Sequence, residues 1–181
     1  IKSNLVKSED GKKSNLYASI GPEKTGGVVL SGHTDVVPTD GQPWSTDPFA
    51  PEIKEGKLFG RGTCDMKGFL GTALSLIPEM DSLKKPIHLA MSYDEEVGCK
   101  GAPSMIAEIA ENLPAPEAVI IGEPTMMEAI TGHKGIITLK TSVQGYEAHS
   151  SQTHRGVSAV MTAAKLIEKL NSMAVDLASK T

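Results

Sequence analysis

Metal-competent side chains follow three short apolar runs of this sequence. They are His33 and Asp35 after the first run, the acidic segment Asp94–Glu96 after the second, and Glu123 after the third. In open α/β sheets, ligands bind at the edge where the carboxyl ends of the strands meet. We therefore expect these side chains to lie close together.

A further carboxylate, Asp65, stands just before a predicted helix. Four or five acids around one histidine would repel one another strongly unless cations were bound. Asp65, Glu96 and Glu123 together carry three negative charges, so two Zn²⁺ ions and one hydroxide bring the sum to zero. Mixed histidine and carboxylate ligands suit Zn²⁺ or Co²⁺ better than Ca²⁺. Asp65 stands alone in its segment and is the natural bridge between two ions.

Two neighbouring pairs suggest roles beyond metal binding. A metal needs only one of Glu95 and Glu96, so the other can hold a water and take its proton. His33 and Asp35 are two residues apart and face one side in extended geometry. Asp35 can then accept the second ring N–H of His33 and fix its tautomer.

Each of these residues also has an ordinary structural explanation when it is taken alone. A histidine at a strand end is commonly structural, an acidic pair is commonly a solvated turn, and an aspartate before a helix is commonly an N-cap. Only their joint placement at strand ends favours a site.

Short apolar runs alternate with helical stripes. Buried strands are predicted around Val28–Leu30, at 87–93 and at 118–121, because these runs are short and rich in β-branched residues or alternate at period two. Apolar residues from Met66 to Ile77 form a helical stripe that Pro78 ends, and Pro103 suits the first turn of a second helix. This alternation predicts an α/β sheet covered by helices.

The pattern changes after about Gly132. Residues 136–143 are predicted to form a strand, and an apolar stripe over 157–167 predicts a helix. The pattern alone leaves open whether this unit continues the first domain or begins a second one.

Composition excludes several other classes of protein. The 18 basic and 22 acidic residues give a net charge of −4, which argues against nucleic acid as the main partner. No apolar run approaches the ~18 residues of a membrane span. The two cysteines are too few for a disulfide framework and are typical of a cytoplasmic protein. The sequence starts at Ile1, and we interpret it as a fragment that lacks both termini.

The ordered motifs resemble those of the dinuclear zinc amidohydrolases, a family that includes acetylornithine deacetylase and succinyl-diaminopimelate desuccinylase. The matching segments are Ser31–Pro38, Gly60–Gly68, Asp94–Gly98 and Ile121–Thr125. The resemblance implies a zinc-peptidase-like α/β fold of three layers, with helices on both faces of the sheet. It also implies a catalytic metal-binding domain over residues 1–132 and, over 133–181, the beginning of a smaller α+β lid domain that forms a homodimer.

The resemblance also implies roles for single residues. The metal ligands would be His33 and Glu123 for one zinc, Glu96 for the second, and Asp65 as the bridge. The catalytic residues would be Glu95 as general base, Asp35 orienting His33, and His149 as an oxyanion donor across the dimer. A cis peptide bond is expected between Asp65 and Met66. The family's last zinc ligand, a histidine, has no counterpart in this sequence.

The activity implied is metal-dependent removal of an acyl group from an N-acyl amino acid. Residues such as Thr63 and Phe69 and the run 97–102 resemble the acetylornithine deacetylase branch, which forms ornithine and acetate in arginine biosynthesis, more than the desuccinylase branch. Another amidohydrolase or carboxypeptidase of the family remains an alternative. A non-catalytic module that binds metal or dimerises is the alternative of a different class.

Overall fold

The computed structural model describes residues 1–180, which separate into two compact units. The first unit is Ile1–Ile130, and the second begins at Thr131. Each unit is described by itself below. Their assignment as a catalytic and a lid domain stays a prediction.

The first unit is built on a five-stranded mixed sheet. Its strands are β1 Lys2–Lys7, β2 Ser14–Ile20, β3 Val28–His33, β6 Ile87–Ser92 and β7 Ala118–Ile121; β4 Glu52–Lys54 and β5 Lys57–Phe59 form a separate hairpin. The order is β1-β2-β6-β3-β7, and β6, β3 and β7 are parallel. All three strands predicted from the sequence are therefore present and lie side by side.

Parallel pairing brings the ends of these three strands to one edge of the sheet. His33 pairs with Ser92 at the ends of β3 and β6. The Gly122 amide, just after β7, donates to the Ser31 carbonyl oxygen over 3.1 Å. The side chains that follow the three strands consequently leave the sheet at the same edge.

Two helices cover opposite faces of this sheet. Helix α1, Lys67–Ser75, packs Ala73 against Ala18 and Leu89, whereas α2, Ala102–Asn112, places Met105 against Val29 and Ala90. These apolar contacts form two cores, because strand residues alternate between the two faces. The predicted three-layer α/β architecture is confirmed. Pro78 lies in a 3₁₀ turn after α1, as expected of a residue that ends a helix.

The prediction that residues 118–121 are buried was wrong. Val119 is 56% exposed and Ile121 is 63% exposed. The strand forms at the expected place, but β7 is an edge strand that pairs only with β3 in the described sheet. Its apolar sequence fits a strand covered on both faces, and within residues 1–180 these side chains are open to solvent.

The second unit contains one long helix and little paired backbone. Helix α3 spans Ala159–Ala178, longer than the predicted stripe, and the Ser158 side chain accepts from the Met161 amide at its N-terminus. The predicted strand at 136–143 was wrong, because this segment pairs with no other strand among residues 1–180. An isolated antiparallel bridge joins Tyr146 and Val157 instead. In the described part of the chain, no helix is both long and apolar enough to cross a bilayer.

Candidate metal centre

His33 lies at the end of β3 and is only 1% exposed. Its Nδ1 atom is 2.9 Å from the backbone carbonyl oxygen of Asp35. A carbonyl oxygen can only accept, so Nδ1 carries the hydrogen and the neutral ring has its lone pair on Nε2. The backbone carbonyl group of Asp35 therefore fixes the tautomer of His33.

Carboxylates from three other segments surround this Nε2 lone pair. The distances from Nε2 are 3.0 Å to Asp65 Oδ1, 3.8 Å to Glu123 Oε1 and 3.9 Å to Glu95 Oε2. Every one of these atoms is an acceptor when the acids are ionised. A set of acceptors that face one another requires a proton or a cation between them.

Two groups of side chains have the geometry of a metal site. His33, Asp65 and Glu123 form one group and His33, Glu95 and Glu96 the other, with the ligand atoms of each group within 4.8 Å of one another. The imidazole and carboxylate donors fit Zn²⁺ or another divalent transition metal. The structure thus brings together all four residues predicted as ligands, together with Glu95.

The pKa values of two site residues reflect this crowding. Burial raises the pKa of Glu123, and the nearby Asp65 carboxylate raises it further. Burial acts to lower the pKa of His33, but its hydrogen bonds to Asp65 and to the Asp35 carbonyl and the charges of Glu123 and Glu95 outweigh this effect, so the pKa is raised. In a metal-free site, a proton on His33 offsets part of the carboxylate repulsion.

Asp35 contacts different atoms from those predicted. Its carboxylate accepts the backbone amides of Glu95 and Glu96, each over 3.1 Å. Oδ1 lies 3.5 Å from His33 Nδ1, which donates to the Asp35 backbone carbonyl instead. Asp35 therefore accepts the second ring N–H of His33, but through its backbone carbonyl oxygen and not through its carboxylate.

Asp65 is positioned by the close packing of α1 on β3. The Asp65–Met66 peptide bond is cis, as expected. Met66, not Asp65, is the N-cap of α1, so the ordinary explanation of Asp65 as a capping residue does not hold. Met66 is fully buried, and a Cβ at Gly32 would lie 2.6 Å from its terminal methyl carbon. A side chain at this point of β3 would require the Met66 and Leu70 side chains to move.

His149 belongs to the second unit and is exposed. Its Nδ1 atom accepts the Ser151 amide over 3.2 Å and lies 2.8 Å from the Ser151 hydroxyl. An amide can only donate, so a neutral His149 carries its hydrogen on Nε2. The ring therefore has a free N–H donor of the kind that an oxyanion requires.

The sequence analysis missed two residues that contact the loop bearing Glu95 and Glu96. Lys13 Nζ contacts both carboxylate oxygens of Asp94, at 2.6 and 2.7 Å. The buried Asn15 contacts both ends of the loop. The available signal was the Asp-Gly turn at residues 10–11 followed by period-two alternation, which predicts a hairpin.

Comparison with known proteins shows the family of the chain. The profile of peptidase family M20/M25/M40 matches residues 29–180, most of the chain. The chain belongs to this family. A curated relative in sequence is acetylornithine deacetylase from Shigella sonnei (strain Ss046), with 42% identity over 150 residues, or 82% of this chain. The match covers 38% of that relative, so this chain spans well under half of its length.

Solved structures share the M20 fold. A metallo-carboxypeptidase, Sso-CP2 from Sulfolobus solfataricus, has a TM-score of 0.58 and 27% identity over 67% of this chain and 28% of its own. A tripeptidase from Staphylococcus aureus has a TM-score of 0.56 and 20% identity over 92% of this chain and 46% of its own. The tripeptidase similarity extends the agreement in fold to nearly the whole chain.

Proposed function

We propose that the protein containing this M20 chain is a zinc-dependent amidohydrolase that removes the acyl group from an N-acyl amino acid. The supporting observation is the lone pair of the buried His33 Nε2, which faces carboxylates from three other segments of the chain. The first candidate substrate is N-acetylornithine, because of the 42% identity to acetylornithine deacetylase.

The donor atoms support a pair of divalent cations. One group of candidate ligands is His33, Asp65 and Glu123, and the other is His33, Glu95 and Glu96. In this proposal His33 and Glu123 would hold one ion, Glu96 would hold the other, and Asp65 would contribute to both. When bound, such a pair of ions would lower the pKa of water toward ~7 and polarise a carbonyl group. Three ligand carboxylates partly balance the charge of two divalent ions, which favours binding of both.

Glu95 is the proposed general base. Its Oε2 atom lies 3.9 Å from His33 Nε2, and its Oε1 atom accepts a weak hydrogen bond from the Cys99 thiol over 3.5 Å. Glu95 takes a proton as the water oxygen bonds to the acyl carbon. It then gives this proton to the amine nitrogen as the carbon–nitrogen bond breaks, so acetate and the free amino acid are formed.

His149 is the proposed donor to the substrate carbonyl oxygen. The Ser151 amide occupies Nδ1 and leaves the Nε2 hydrogen available. A hydrogen bond to the developing negative charge stabilises the transition state more than the substrate. We assign His149 to the site of the partner subunit in a homodimer.

The homodimer is proposed to form through the second unit. Apolar side chains of α3 are exposed over most of its length, including Val160, Ile167 and Leu170. Such a stripe on a long helix is typical of a surface that another chain covers. A cytoplasmic location completes the proposal, in keeping with two unpaired cysteines.

An assay of the full-length protein tests the proposed activity. We expect zinc-dependent release of ornithine from N-acetylornithine at a higher kcat/KM than hydrolysis of N-succinyl-diaminopimelate or of a dipeptide. A preference for either of the other substrates would leave the assignment as an amidohydrolase intact but change the assigned substrate. No hydrolysis of any of them by a protein with two bound zinc ions would contradict the proposed activity and favour the non-catalytic alternative.

A further inference from the structure

The segment Tyr93–Gly101, here called the acidic loop, carries both Glu95 and Glu96. Its conformation is unusual, because Asp94 has φ +55° and Cys99 has φ +54°. Within the loop, the Lys100 amide donates to the Asp94 carbonyl oxygen over 3.0 Å. Non-glycine residues hold left-handed conformations where the surrounding structure fixes them. The Gly98 and Cys99 amides also donate to the Glu95 carbonyl oxygen, so bonds inside the loop and contacts from outside it act together on the two glutamates.

Asn15 hydrogen-bonds to both ends of the acidic loop. This residue of β2 is fully buried. Its Oδ1 atom accepts the Tyr93 amide over 3.2 Å, and its Nδ2 atom donates to the Gly101 carbonyl oxygen over 2.9 Å. A Cβ at Gly101 would lie 2.7 Å from Asn15 Oδ1, so the close approach depends on glycine. One carboxamide thus joins the two ends of the loop, which are also joined directly by the bond from the Gly101 amide to the Tyr93 carbonyl oxygen over 3.3 Å.

Lys13 contacts the residue directly before Glu95. Its ammonium lies 2.6 and 2.7 Å from the two carboxylate oxygens of Asp94. Strands β2 and β6 pair Leu16 with Met91, and continuing this antiparallel register brings Lys13 opposite Asp94. The hairpin turn also fixes Lys13, because its amide donates to the Ser8 hydroxyl over 3.0 Å. The strand pairing thus brings the two residues opposite each other, where the Lys13 side chain can reach the Asp94 carboxylate.

We infer that Lys13 and Asn15 are positioning residues, which hold the acidic loop so that Glu96 can bind the second ion and Glu95 can reach the attacking water. The inference rests on the proposed function, since it assigns these residues to the same site. Neither residue is among the groups that converge on His33. Asp35 holds the Glu95 and Glu96 amides from the other side, so the loop is fixed between β2 and the end of β3.

Lys13→Met in the full-length protein tests the inference. The Lys13 side chain is about half exposed (52%), so its replacement leaves the apolar core intact. Lys12→Met is the matched control, because the one acidic partner of the Lys12 ammonium within residues 1–180 is the exposed Asp10, at 4.0 Å. Each protein is titrated with Co²⁺. Isothermal titration calorimetry and visible absorption spectra then give a separate affinity for each of the two ions.

We expect Lys13→Met to lower the affinity for the second Co²⁺ by about two- to fivefold, the size of effect that a half-exposed ion pair has. The first ion, on His33, Asp65 and Glu123, should bind as in the wild type. Lys12→Met should leave both affinities unchanged. Asp94→Asn should have the same effect as Lys13→Met, and the double variant should be no worse than either single one, because both changes break one contact.

The outcomes separate this inference from the proposed function. A wild-type protein that binds no Co²⁺ would overturn both. A wild type with two ions and a Lys13→Met variant with equal affinities would overturn the positioning role alone. Equal weakening of both ions in Lys13→Met would also overturn it, because a general loss of stability does not distinguish the two ions.

Discussion

The Nε2 atom of His33 lies 3.0 Å from Oδ1 of Asp65, although both atoms are hydrogen-bond acceptors when the ring is neutral and the acid ionised. The Nδ1 hydrogen of His33 is already donated to the Asp35 carbonyl oxygen. The contact is therefore favourable only when a proton or a cation lies between the two atoms. This relationship connects the protonation of the site with its metal binding.

Metal affinity should fall as the pH falls through the raised pKa of His33. Below that pKa the metal-free ring is protonated, so an incoming ion must displace the proton. The apparent affinity should change by up to about tenfold per pH unit for each proton released. Co²⁺ titrations in two buffers of different ionisation enthalpy measure this release directly. An affinity that is independent of pH through neutrality would contradict the assignment of His33 as a ligand.

Glu95→Gln should retain both metal ions and lose most of the activity. Glutamine keeps the size of the side chain but cannot take a proton, and general-base catalysis contributes about 10²–10⁴-fold. Steady-state kinetics and metal content of the full-length variant measure the two effects. Glu111→Gln, on the exposed surface of α2, is the matched control and should match the wild type. Near-normal turnover in Glu95→Gln would show that another group takes the proton.

Asp35→Asn should weaken the second ion and lower kcat. The two carboxylate oxygens accept the Glu95 and Glu96 amides, and an asparagine has only one acceptor oxygen with which to replace them. One amide would then face an NH₂ donor. We expect a loss of about 10- to 100-fold in affinity for this ion, measured by Co²⁺ titration. Since His33 donates to the Asp35 backbone, the first ion should be little affected; a selective loss of the first ion would contradict this account.

The candidate metal ligands could be predicted from the sequence, whereas the residues that position them, Lys13 and Asn15, could not. The ends of the strands at Val28–His33, Ile87–Ser92 and Ala118–Ile121 could be located because apolar runs stop where polar side chains begin. Parallel pairing then brings those ends to one edge whatever the exact strand limits. The acidic loop and its partners could not be located in this way, because side chains from residues 13 and 15 reach it across more than 75 positions of the sequence.

Two errors have one physical cause. Residues 118–121 were expected to be buried and are exposed, and residues 136–143 were expected to form a strand and do not pair. A β-branched apolar run shows a tendency to form a buried strand, but burial and pairing depend on a partner element. Within residues 1–180, one segment has a pairing partner on a single side and the other has none.

His149→Ala should lower kcat while leaving metal binding unchanged. Removing one donor to a developing oxyanion costs about 10²–10³-fold in kcat. The ring belongs to the second unit and is absent from both groups of candidate ligands, so the titration with Co²⁺ should match the wild type. His154→Ala is the control, because His154 is also exposed and lies in the 3₁₀ segment Ser150–Arg155, which His149 caps. Equal effects of the two substitutions would remove the assigned role of His149.

Anomalous diffraction at the zinc edge, from a crystal of the full-length protein grown with Zn²⁺, tests the central claim most directly. We predict two peaks about 3.5–4 Å apart, with Asp65 between them. One peak should contact His33 and Glu123, and the other should contact Glu96. Zinc peaks found only elsewhere, with these side chains bonded to water, would contradict the metal centre on which the proposed activity depends.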